Sequence, residues 1–96
     1  MNDLAITLID EGAHGEYQAR VADSSAVGRL TWVRRDRVLT TEHTLVAPEI
    51  GGRGIAGKLV EALIADARAE GWKIVPECSY VAAAFKRHPE WADLLA

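Results

Sequence analysis

The chain has a single cysteine, Cys78, in 96 residues. One thiol excludes an internal disulfide framework and fits a reducing, cytosolic (cytoplasmic) setting. No apolar run approaches the roughly 20 residues that a membrane-crossing helix needs, so no membrane partner is expected. The opening MNDLAITLIDEG has no basic stretch and no small-residue cleavage site, and no secretory signal is read there. Basic residues are scarce: Lys and Arg number 11 against 14 Asp and Glu, a net charge of −3. Only Arg34, Arg35 and Arg37 cluster, and Asp36 interrupts them. A nucleic-acid binder would present a wider basic face, so the cluster reads as a solvated hairpin tip. His14 and His88 have no neighbours at metal-ligand spacing, and no metal site is expected. Repeats, low-complexity tracts and linkers are also missing. A chain of this length buries one core, so residues 1–96 are expected to form one domain.

What is present divides by pattern into two parts. LAITLI, EYQARVA, AVGRLTWV and RVLTTEHTLV are short and rich in β-branched residues. Two of them alternate: Tyr17, Ala19 and Val21 share one face, and Gly28, Leu30 and Trp32 share another. The joints EGAHG, DSS and RRDR predict an antiparallel meander. Residues 54–71 follow a helical period, with Ile55, Ala56, Leu59, Val60, Leu63, Ile64 and Ala67 on one face. Gly71 occupies the place of a left-handed C-cap. WKIVPEC predicts a strand buried on both faces, with Pro76 at its end or at a bulge. VAAAFKRH predicts a short helix, and PEWADLL one further turn. Trp32, Trp72 and Trp91 are expected at the core edge. The fold class is therefore α/β: a mixed sheet, an antiparallel N-terminal meander and a βαβ crossover with parallel pairing.

Between these parts lies HTLVAPEIGGRGIAGKLVEAL, which holds Gly51, Gly52, Gly54 and Gly57. Glycine weakens a helix interior by roughly 1 kcal/mol relative to alanine, so four of them at a helix start need a reason. Unpaired N–H groups and the positive end of the helix dipole gather at such a start, and small residues let an anion reach them. The bland alternative is a tight strand-to-helix turn. As a P-loop the stretch fails, because Leu59 stands where Ser or Thr would hold Mg²⁺. As a dinucleotide fingerprint, Gly52, Gly54 and Gly57 have the spacing, and Glu77 lies where a ribose would be held. Against that reading, APEI separates the strand from the glycines, and the preceding strands are antiparallel.

The whole order of elements, with Gly52-Arg53-Gly54-Ile55-Ala56 opening the main helix, resembles the GCN5-related N-acetyltransferases, in particular their minimal single-domain members. His43-Thr44 with Val46, Lys58-Leu59-Val60, Pro76 with Cys78-Ser79-Tyr80-Val81, and Arg87-His88-Pro89 with Trp91 carry the same likeness. The resemblance implies an acetyl-CoA-dependent N-acetyltransferase with acetyl-CoA or CoA as co-substrate. It implies backbone binding of the pyrophosphate by Gly51, Gly52, Arg53, Gly54, Ile55 and Ala56, and pairing of the pantetheine with the strand bearing Val46. It places Tyr80 at the cofactor cleft, and His43 and Cys78 on opposite sides of the acetyl group. The turn departs from the family pattern at Glu49, where Gln or Arg is usual, and at Gly51, a place often basic. Glu49 adds negative charge beside a phosphate site, which Arg53 offsets.

Acetyl transfer needs a neutral amine and a proton for the departing thiolate. His43 is the candidate base, because an ordinary imidazole titrates near neutrality; its plain alternative is a packed or exposed strand histidine. Cys78 is the candidate acid or covalent acetyl carrier, and its plain alternative is a small buried hydrophobe. The phenol of Tyr80 is a second candidate acid. The acceptor amine is left open among peptide amino termini, lysine side chains, polyamines and small metabolites, and so is the oligomeric state. The competing class is a CoA- or acyl-CoA-binding module without catalysis.

Overall fold

Alternating and helical patterns become five strands and two helices in the computed structural model, which describes residues 3–96. Strands β1 (Leu4–Asp10), β2 (His14–Val21), β3 (Val27–Arg35) and β4 (Val38–Val46) form an antiparallel meander. Helix α1 (Ile55–Glu70) then crosses to β5 (Lys73–Pro76), which pairs parallel with β4. The sheet order is β1-β2-β3-β4-β5. Helix α2 (Ser79–Arg87) and a 3₁₀ segment, Pro89–Leu94, complete the described chain. The expected α/β class, mixed sheet and parallel crossover are all observed.

One face of the sheet carries α1. Tyr17, Ala19, Leu30 and Trp32 meet Ile55, Leu59, Val60, Leu63 and Ala67 there, all of them buried. Each Val, Leu or Ile side chain among them contributes about 1.5–3 kcal/mol by leaving water. Gly28 lets the helix come close: a Cβ at that position would meet Ile55 Cγ2 at 3.1 Å. The Tyr17 hydroxyl donates to Asp66 Oδ2 at 2.7 Å, tying the sheet to the middle of α1. The helix stops at Gly71, whose φ of 76° is the left-handed cap expected there. The chain end covers part of the β5 edge, where the Ala96 N–H donates to Ile74 O at 3.0 Å.

Three expectations need correction. Trp32 is wholly buried, not at the core edge, because β3 is a central strand and its ring lies across Gly15, which has no side chain. Arg34 belongs to no solvated tip: its guanidinium stacks 5.1 Å from the Trp32 ring and 5.4 Å from that of Trp72. It also donates to Asp10 at 2.7 Å and to Gly12 O at 3.0 Å. Nearby, Arg37 donates to Glu70 O at 2.5 Å, closing the end of α1. Strand β5 is not buried on both faces either: Ile74 is buried, but Lys73 is exposed, with its ammonium donating to Asp93 O.

Candidate active site

The sheet splits where the candidate residues meet. Strands β4 and β5 pair from Val38 and Lys73 to Thr41 and Pro76, and no further. One last bond crosses the gap, from the Cys78 N–H to Thr41 O at 3.0 Å. Beyond it β4 runs on to Val46 and, among the described residues, pairs with β3 alone, which leaves its other backbone edge without a strand partner. Free strand edges present N–H and C=O groups to an extended ligand.

A bulge in β4 sorts the side chains at the split. Thr31 pairs with His43, but Trp32 pairs with Thr41, leaving Glu42 as the extra residue. Thr41 and Thr44 therefore turn toward α1, whereas Glu42 and His43 are both exposed on the opposite face. Thr44 Oγ1 reaches Cys78 Sγ at 3.3 Å. Sequence reasoning gave Thr44 no role, although it stands beside His43 in the quoted motif. Cys78 is buried at the N-cap of α2. Burial pushes its thiol up, but the hydroxyl of Thr44 and the backbone N–H groups of Val81, Tyr80 and Thr44 together outweigh it. The net result is a thiol held below its ordinary range.

The glycine stretch is an open turn, not a packed one. A short 3₁₀ segment, Pro48–Ile50, ends β4's connection, and Gly51 follows in extended backbone. Gly52 and Gly54 have φ of 76° and 74°, and no atom lies within 4 Å of a Cβ built on either. Two left-handed residues around Arg53 make the kind of turn that gathers backbone N–H groups for an anion. The first bond of α1 runs from the Lys58 N–H to Gly54 O at 3.2 Å. The N–H groups of Ile55, Ala56 and Gly57 precede it, no side chain among the described residues caps them, and the first turn carries no acidic residue. These features fit a pyrophosphate, which supplies the acceptors that this helix end lacks. Tyr80 completes the cleft from α2: its hydroxyl lies 3.7 Å from where a Gly57 Cβ would be.

The structure thus brings Thr44 against Cys78 and Tyr80 against the first turn of α1, which follows Gly51–Gly54, and puts Val46 at the end of β4 that β5 leaves unpaired. It sets His43 on the other face of the sheet. That outer face also holds a concavity of about 360 Å³, lined by Glu11, His14, Glu16, Thr31 and Glu42 among others. Among the described residues, no helix is long and apolar enough to cross a membrane.

The model of the GCN5-related N-acetyl-transferase family matches residues 16–94, more than four-fifths of the chain. The chain belongs to the GCN5-related N-acetyltransferase family, which places it among acetyl-CoA-dependent acetyltransferases. A comparison with curated proteins returned no match.

Proposed function

We propose that this protein transfers the acetyl group of acetyl-CoA to an amine that arrives from the outer face of the sheet, as a minimal single-domain member of its family with the C-S-Y-V motif. One observation carries the reading: the split between β4 and β5 lies between a thiol held below its ordinary range and an uncapped, glycine-opened helix start. The pyrophosphate sits on the N–H groups of residues 51–56, and the pantetheine runs along the free edge of β4 at Val46. His43 takes the proton of the amine, whose nitrogen attacks the thioester carbonyl carbon. The C–N bond forms, the C–S bond breaks, the second proton of an ammonium acceptor's nitrogen passes to solvent, and the CoA thiolate takes a proton from Cys78. Thr44 and the α2 N–H groups hold the resulting Cys78 thiolate until solvent reprotonates it. Glu42 beside His43, with Glu11 in the neighbouring groove, favours an acceptor that approaches protonated and cationic.

Acetylated product is measured by mass spectrometry for cationic and neutral amines incubated with acetyl-CoA. Cationic amines are expected to turn over, and His43→Ala to lower kcat about 10²-fold or more. A CoA-binding module without catalysis predicts binding with no product above the uncatalysed level. The lowered thiol also supports a covalent route, which intact-mass analysis separates: without an amine, an acetyl adduct on Cys78 would mark that route, and its absence marks direct attack.

A further inference from the structure

We propose that Asp23 competes with the CoA pyrophosphate for Arg53, and so sets the affinity of the glycine loop; this rests on the loop being the CoA site. Arg53 is the one side chain between the two left-handed glycines, and it is the natural cation for a phosphate there. In the structure its guanidinium is turned to the joint between β2 and β3. Nη1 donates to Asp23 Oδ1 at 3.0 Å, and Nη2 to Asp23 Oδ2 at 3.2 Å. Both terminal nitrogens are thereby engaged in a two-pronged pair, the geometry an arginine would otherwise offer to a phosphate. Asp3 adds a further negative field on the same guanidinium. The other cation of the first helical turn, Lys58, faces Glu61 at 3.5 Å. Arg53 and Lys58 are thus each already opposed by a carboxylate.

Solvent access makes the contact reversible. Side chains of Arg53 and Asp23 are 30% and 57% exposed, so their pairing is weak and screened. A bound pyrophosphate, with more charge and the helix N–H groups beneath it, takes the guanidinium from Asp23. The cost of releasing Asp23 is subtracted from the binding of every ligand that carries the phosphates, and from none that lacks them. Asp23 is a positioning residue in this scheme, since it acts only through Arg53.

Calorimetric titration of CoA and of pantetheine into wild type, Asp23→Asn, Arg53→Gln and the double variant tests the proposal. The asparagine keeps the shape of the turn, and a thermal melt of each variant checks its fold. Asp23→Asn is expected to lower the Kd for CoA about two- to fivefold. Pantetheine binding is expected to stay unchanged, and the gain to vanish in the Arg53→Gln background. Equal or weaker CoA binding by Asp23→Asn overturns the proposal while leaving the CoA site intact. A gain that survives Arg53→Gln also overturns it, because Asp23 would then act through bulk charge. If no folded variant binds CoA, wild type included, the reading of the loop falls and the proposal falls with it.

Discussion

At Cys78, burial and hydrogen bonding pull the thiol in opposite directions, and the hydrogen bonds win. The sign follows for stability: an acid whose folded pKa is lowered adds stability above its unfolded pKa and loses it as pH falls through the folded value. The sign for reactivity is the same, since thiolate is present at lower pH than in an unfolded chain. The rate of alkylation by iodoacetamide, followed against pH, is therefore expected to show a midpoint below the ordinary thiol value of 9.0. Thr44→Val, which keeps the shape and removes the hydroxyl, is expected to move that midpoint upward. An unchanged midpoint would mean that the 3.3 Å contact between Thr44 and Cys78 does not tune the thiol.

Helix α1 shows at the scale of an element why glycines crowd its start. Gly54 is required by the backbone: alanine at a φ of 74° meets no atom within 4 Å but carries about 1–2 kcal/mol of conformational strain. Gly57 is different. It lies inside the first turn, and a Cβ there would make only an ordinary 3.7 Å contact with the Tyr80 hydroxyl. By propensity alone, Gly57→Ala should stabilise the helix by about 0.5–1 kcal/mol. The combination expected is a raised Tm with weakened CoA binding, read by thermal melts with and without CoA. A raised Tm with unchanged binding would show that Gly57 serves no ligand. Gly54→Ala is expected to lower both.

Charge pairing gives the whole molecule its response to acid. Asp10 is held below the usual carboxylate range by the Gly12 N–H and then by Arg34; Asp23, Glu90 and Asp93 are held down by Arg53, His88 and Arg68. Each contributes stability above its unfolded pKa and loses it as pH falls through the lowered folded value. Tm is thus expected to drop as pH falls below about 4, the ordinary carboxylate range. The most protected of these pairs is Asp10 with Arg34, which lies against two tryptophans. Arg34→Met keeps the packing and removes the charge, so its Tm should fall less between pH 5 and 3 than that of wild type. A variant with an unaltered acid limb would assign the acid response to the exposed pairs.

Local pattern by itself determined the elements: alternation in β2 and β3, the apolar face of α1, the Gly71 cap and the glycine-opened helix start are all local regularities of the chain. Each arises because neighbours in sequence share one backbone geometry, with periods of two or 3.6 residues. Tertiary structure alone decided where the candidate residues face. Thr40-Thr41-Glu42-His43-Thr44 is polar throughout, so no apolar alternation fixes its register, and the one-residue bulge is invisible in it. That bulge turns His43 outward and Thr44 toward Cys78. Thr44 and Cys78 lie 34 residues apart, Arg53 and Asp23 lie 30 apart, and Arg34 meets Trp72 only after α1 has returned the chain to the sheet. Such meetings depend on sheet order and crossover path, and those are set by burial of the whole core.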